Sequence, residues 1–170
     1  MVNHNQSNPH FSESNLKIPT INFTEGWFEY LTHAFPHHTD YAGVVWHGTY
    51  VSWLEELRVA GLRLAGLDYS LLVAAGCDLP VVEMRLRYHQ SIRMGMDILV
   101  RGRMMKHFGV RIPWEYSIES VDRQERYASA EIVLVPVDRS TNKILRRLPE
   151  NLKTVLEPFV NDLEEVRSWE

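Results

Sequence analysis

One stretch of this chain repeats its apolar residues every three or four positions, while the long runs beyond it repeat theirs every two. "TYVSWLEELRVAGLRLAG", Thr49 to Gly66, sets Leu54, Leu57, Gly61, Leu64 and Ala65 on one helical face, widened by Val51, Trp53 and Val59. Thr49 is placed to cap its start and Gly66 to stop it. Before it, "WFEYLTHAF" alternates from Trp27 and reads as a strand that Pro36 ends. After it, "YSLLVAAG" suggests a short helix closing at Gly76, and then the period changes. "LPVVEMRLRYHQ", "MDILVRGRMMK" and "VRIPWEYSIES" each show one apolar and one polar face, as expected of an antiparallel sheet covered on one side. A fourth run, "YASAEIVLVPVD", is apolar on both sides at its centre, and Pro113 marks an edge or bulge. The tail "LPENLKTVLEPFVNDLEEVRSW" carries one or two short helices interrupted before Pro158. One strand, one long apolar helix and four strands predict an α+β fold, an antiparallel sheet wrapped around a single helix.

Composition narrows the function. A chain of 170 residues makes one domain with a sizeable core, here expected over residues 23–170 behind an Asn-, Ser- and His-rich flexible leader, 1–22. The formal net charge of −4 argues against general nucleic-acid binding. No apolar run approaches the roughly 18 residues of a membrane span, and the first residues lack a secretory pattern, so a cytoplasmic location is expected. Cys77 is the single cysteine, with no disulfide partner, and reads as a buried inert thiol. A sheet wrapped on one helix leaves little room for a deep internal cavity. A ligand site is therefore expected at a subunit junction, in a homodimer or homotetramer.

The chemistry concentrates in "HHTDYAGVVWHGTYVSWLEE", His37 to Glu56. Asp40 sits in a loop, Gly43 permits a sharp turn, and seven residues after Asp40 the helix begins near His47. Thioester hydrolysis needs a carboxylate to activate water or attack, and N–H donors for the developing oxyanion; a helix N-terminus supplies such donors with the favourable dipole sign. On the residues alone, an Asp before a Gly is more commonly a turn former. His33, His37, His38, Asp40 and His47 raise a metal-site reading, but they offer no H-x-x-x-H pair on one helical face, and no metal or other cofactor is expected. Glu55 and Glu56 read as a solvated helix face, Trp46 and Trp53 as core, and Arg85, Arg87, Arg101 and Arg103 as a solvated sheet surface.

"HTDYAGVVWHGTYVSWLEE" resembles the signature of the 4-hydroxybenzoyl-CoA thioesterase family of hotdog proteins, most closely its Tol-Pal-associated acyl-CoA thioesterases. "LPVVEMRLRYHQSIRMGMDILVRG" and "LVPVDRSTNKILRRLPENL" extend the similarity over roughly residues 28–157. The resemblance implies a hotdog fold and an acyl-CoA thioesterase. It implies Asp40 as nucleophile or general base, the His47 N–H as oxyanion donor and the His47 side chain as a positioning group. Gly43, Val45, Trp46 and Tyr50 would contact substrate, Glu55 would be structural, and Lys106, beside His107, would meet CoA phosphates. The family often carries an acid two residues before the catalytic Asp, where His38 stands here. Two other readings stay open: a non-catalytic acyl-CoA-binding hotdog module, and a hotdog hydratase or dehydratase, whose carboxylate is usually on the helix.

Overall fold

The computed structural model describes residues 20–106, 109–156 and 158. The leader therefore lies outside the described residues as far as residue 19. The described chain enters through a hairpin, β1 (Asn22–Thr24) and β2 (Trp27–His33). A 3-10 turn, Pro36–His38, leads to α1 (His47–Leu64) and α2 (Tyr69–Ala74). Then follow β3 (Cys77–Asp78), β4 (Val81–Tyr88), β5 (Asp97–Met104), β6 (Ile112–Ser120), β7 (Arg126–Leu134), β8 (Val137–Asp138), β9 (Lys143–Ile144) and α3 (Glu150–Leu156). The six-stranded sheet runs β1-β2-β5-β6-β7-β4, antiparallel at every junction, and β3-β8-β9 form a small second sheet. This is the α+β hotdog arrangement expected.

Register decides which side chains meet α1. Phe28 and Tyr30 of β2 pair with Gly102 and Val100 of β5, which pair with Tyr116 and Ile118 of β6, and these with Ala130 and Ala128 of β7. All except Gly102, which carries no side chain to pack, belong to the hydrophobic core. Two glycines set the spacing. A methyl group on Gly61 would stand 3.0 Å from Phe28 Cγ, and one on Gly102 would stand 2.7 Å from Leu57 Cδ2 and 2.8 Å from the Tyr116 ring. Helix and sheet approach this closely because neither position carries a side chain.

Several expectations change. Trp46, not Thr49, is the N-terminal cap residue of α1, and the Thr49 hydroxyl instead donates to the His38 carbonyl at 3.0 Å. The helix stops as expected: Gly66 adopts φ 89°, the Leu67 N–H reaches the Leu62 carbonyl and the Gly66 N–H that of Arg63. The buried stripe is Thr49, Tyr50, Trp53, Leu54, Leu57, Arg58, Gly61 and Leu62, whereas Leu64 is exposed. Arg58 is buried instead, its guanidinium paired with Glu55 through one nitrogen and lying beside the Tyr69 and Tyr116 phenols, both pushed up in pKa chiefly by burial. Pro113 lies in an interior strand and not at an edge, but at its second residue. Its carbonyl accepts from Met105, just past the end of β5, so its missing donor falls where that ladder closes.

The outer face of the sheet is not simply solvated. Glu29, 9% exposed, accepts from Arg101 at 2.7 Å and Arg123 at 2.9 Å, while Arg103 holds Glu115. Arg101 and Arg103 both stack over Trp27, at 4.6 and 4.5 Å from its ring centroid. The edges of the sheet are β1 and β4; the one near the start of α1 is β4. In β4, Met84 and Tyr88 pair with buried Ile132 and Ala128 yet are exposed, as is Val82 at the register shift between Val81 and Glu83. No described helix is long and apolar enough to cross a membrane.

Candidate active site

The loop after β2 is built around Asp40. Its N–H donates to the Val44 carbonyl at 2.8 Å, and its Oδ1 accepts from the N–H groups of Ala42 (2.9 Å) and Val44 (3.1 Å). Gly43 takes φ 70°, which closes this turn without strain. Backbone bonds fix the loop from both sides: Trp46 N–H to the His38 carbonyl, Val45 N–H to Ile92, and Met94 N–H to Gly43. One carboxylate oxygen is thus committed to the turn. The other, Oδ2, makes no hydrogen bond among the described residues and lies on an exposed side chain.

The helix mouth lies seven residues on. An N-cap normally supplies a side-chain acceptor for the first amides, and Trp46 has none. Thr49 N–H finds the Trp46 carbonyl, whereas the N–H groups of His47 and Gly48 bond to nothing among the described residues. The exposed Trp46 ring folds across Gly48 and packs on the His47 ring with centroids 4.6 Å apart. A methyl group at Gly48 would fall 1.9 Å from the indole, so only glycine admits this placement.

A groove of about 350 Å³ opens beside these amides, lined by Val44, Val45, His47, Tyr50, Tyr88, His89, Gln90 and Ser91. The Tyr88 hydroxyl donates to the His47 carbonyl at 3.2 Å, and its ring meets Tyr50 edge-on at 5.0 Å. Burial pushes the pKa of both phenols up, so they remain neutral hydrogen-bonding groups near neutrality.

Of the residues singled out in the sequence, the groove gathers Val45, His47 and Tyr50. Gly43 shapes the loop, Trp46 sits over the helix mouth, and Asp40 lies on the loop without lining the groove. Lys106 is exposed, just beyond the Met104 end of β5, while the Asp40 loop is clamped by residues just before Asp97. The eight-residue strand separates them by roughly 24 Å within one chain. Tyr88, His89, Gln90, Ser91 and Gly48 are residues the sequence reasoning missed. The polar "HQS" ending an alternating run was the available signal, but only strand order brings that end to α1.

His38 completes the 3-10 turn. Its Nδ1 lies 3.2 Å from both the Phe35 nitrogen and the His33 carbonyl, and its ring packs edge-on against Trp53. Desolvation, then neighbouring His37, lowers its pKa. Among the described residues no three His, Cys, Asp or Glu side chains converge to hold a metal ion. Cys77 is buried, and burial raises its thiol pKa.

Known proteins resemble this chain in sequence and in fold. The model of the Thioesterase-like superfamily matches residues 35–159. A Synechocystis sp. protein carried under the name "Putative esterase sll0410" is 48% identical over 126 residues, covering 74% of this chain and 76% of that protein. Among solved structures, Slr0204, a 1,4-dihydroxy-2-naphthoyl-CoA thioesterase from Synechocystis, superimposes with a TM-score of 0.71 at 22% identity, over 81% of this chain and 97% of its own. SAV2348 from Staphylococcus aureus, solved in complex with CoA, gives 0.73 at 12% identity over 89% and 90%. These matches do not separate the 4-hydroxybenzoyl-CoA or Tol-Pal branches from others. With the family match spanning most of the chain and the wrapped sheet in place, this protein belongs to the Thioesterase-like superfamily and has its hotdog fold.

Proposed function

We propose that the protein is an acyl-CoA thioesterase acting at the mouth of α1. The observation that carries this reading is the uncapped start of an 18-residue helix, whose His47 and Gly48 amides are left without acceptors beside a groove. A thioester carbonyl placed there would point its oxygen at those amides, and the helix dipole favours the charge that develops. Asp40 Oδ2, the oxygen that receives no donor, would take the proton of a water that adds to the carbonyl carbon, or would itself attack that carbon to give a mixed anhydride that a water then hydrolyses to the free acid. Collapse of the tetrahedral adduct breaks the C–S bond and releases CoA thiolate. The two amide bonds to Oδ1 fix the direction of the carboxylate. His47 and Tyr88 would orient the acyl group, and no metal or redox cofactor is required.

Two copies would complete the site. The free edge of β4 offers unpaired backbone and the exposed side chains Val82, Met84 and Tyr88, which suits antiparallel pairing with a second β4 about a twofold axis. Tyr88 and His89 stand at that edge and in the groove at once, so a partner strand would roof the groove. A homodimer, or a homotetramer built from it, is the expected active unit, in the cytoplasm; a stable, active monomer in sedimentation would overturn this.

One observation favours a second reading. Asp40 Oδ1 is occupied by the turn and Asp40 does not line the groove, as it would in a module that binds acyl-CoA without cleaving it. Thiol release measured over short aliphatic, long-chain and aromatic acyl-CoA esters separates the two. The proposal expects turnover of at least one class; binding with no thiol released from any of them would establish the module instead.

A further inference from the structure

The groove at the helix mouth adjoins a second one. His89, the residue following β4, lines both. The second groove has a volume of about 380 Å³, lies mainly on the outer face of the sheet, and is walled by Arg85, Arg87, Glu115, Arg126, Ser129 and Glu131. Strand alternation explains the junction. Tyr88 points inward to the His47 carbonyl, so its neighbour Arg87 points outward, opposite Ser129 in the ladder. His89 Nε2 lies 2.9 Å from Ser129 Oγ, a hydrogen bond that holds the imidazole between the two depressions.

The charges in this second groove differ in what they already bind. Glu115 is held by Arg103 at 2.7 Å, and Glu131 stands opposite Arg85. Arg87 and Arg126 take part in no ion pair among the described residues. Two guanidinium groups without carboxylates, next to an imidazole and a hydroxyl, form a receptor for a phosphate, which a planar guanidinium grips through two parallel N–H bonds.

We propose that Arg87 and Arg126, with His89 between the grooves, bind the phosphate groups of the CoA whose thioester lies at the helix mouth. This rests on the thioesterase reading above. CoA carries its diphosphate and 3′-phosphate at the far end of an extended arm, so its anions must land away from the carbonyl. The second groove offers cations there. It assigns phosphate recognition to the end of β4, whereas Lys106 lies at the opposite end of β5 in the same chain.

Two measurements on the full-length protein test this. The first is the ratio of kcat/KM for an acyl-CoA to that for the matching acyl-pantetheine, which lacks the nucleotide phosphates, in wild type, Arg87→Ala and Arg126→Ala. Each substitution should lower the ratio about tenfold through KM, the worth of one charge-assisted bond. An unchanged ratio in both variants overturns the proposal, as does a loss confined to acyl-carrier-protein esters, which would make the arginines a protein-docking surface. Acyl-dephospho-CoA then separates the 3′-phosphate from the diphosphate: a loss on its removal alone assigns the arginines to the former, and retention assigns them to the latter. The second is calorimetric binding of free CoA, which carries the diphosphate and the 3′-phosphate and needs no catalysis. If wild type cleaves no thioester, the functional reading fails, and this binding still decides the groove: affinity weakened about tenfold by either substitution supports it, and no binding to wild type overturns it.

Discussion

Replacing Gly102 by alanine would drive a methyl group into the tightest point of the helix–sheet contact. Its Cβ would lie 2.7 Å from Leu57 Cδ2 and 2.8 Å from Tyr116 Cδ1 and Cε1, about 1 Å inside the favourable carbon–carbon separation. Neither neighbour can swing into solvent: Leu57 and Tyr116 are 0% and 1% exposed. The sheet or the helix must move, and overpacking of this kind costs about 1–3 kcal/mol. The stiffer unfolded chain returns only about 0.4–1 kcal/mol. A net loss of about 1–2 kcal/mol lowers the melting temperature of a chain this size by roughly 2–8 °C. Gly61→Ala is the internal comparison. Its Cβ meets Phe28 at 3.0–3.3 Å, a milder contact, and alanine gains about 1 kcal/mol in a helix interior. Thermal denaturation should therefore rank Gly102→Ala clearly below Gly61→Ala, with the latter within about 1 kcal/mol of wild type. Equal stability for the two, or a Gly102→Ala protein as stable as wild type, would refute the claim that glycines set the distance between α1 and the sheet.

Other consequences follow from the same geometry. Glu29→Ala leaves Arg101, 14% exposed, with only Glu119 at 3.5 Å, and should cost about 3 kcal/mol in chemical denaturation; a loss under about 1 kcal/mol would contradict the buried network. His38 has a folded pKa below its unfolded value, so the unfolded chain binds the proton first as pH falls. Stability should be full above about pH 6.5 and decline as the pH drops toward the folded value, and His38→Gln should flatten that slope in pH-dependent melting. Gly48→Ala displaces the exposed Trp46 ring from the helix mouth while adding helix propensity. It should lower kcat/KM about tenfold or more with no loss of melting temperature, and unchanged kinetics would remove Trp46 from the account.

Much of this fold is legible in the sequence because it is local. The three alternating runs and the fourth, apolar run became β4 to β7, and Gly66 and Gly76 ended their helices. What the sequence does not show is the order of strands. Val82, Met84 and Tyr88 alternate like the core-facing residues of an interior strand, but β4 pairs only with β7 and leaves them exposed. Arg101 and Arg103 look solvated until register sets Glu29, Glu115 and Trp27 around them. The site divides the same way. Gly43, Val45, His47 and Tyr50 lie within one continuous segment and could be picked out there, whereas the wall formed by Tyr88 to Ser91 arrives from a strand 40 residues downstream. Trp46 reads as core by residue type, yet it is an exposed cap that cannot cap.

The central claim is that the carboxylate of residue 40 and the free amides opening α1 act on one carbonyl. Asp40→Asn keeps an oxygen acceptor for the turn amides of Ala42 and Val44 but removes the charge. Single-turnover hydrolysis of the best acyl-CoA substrate by this variant is the most direct measurement. The account expects the rate to fall at least about 100-fold with wild-type melting behaviour and substrate affinity retained. A rate within a few-fold of wild type would contradict it.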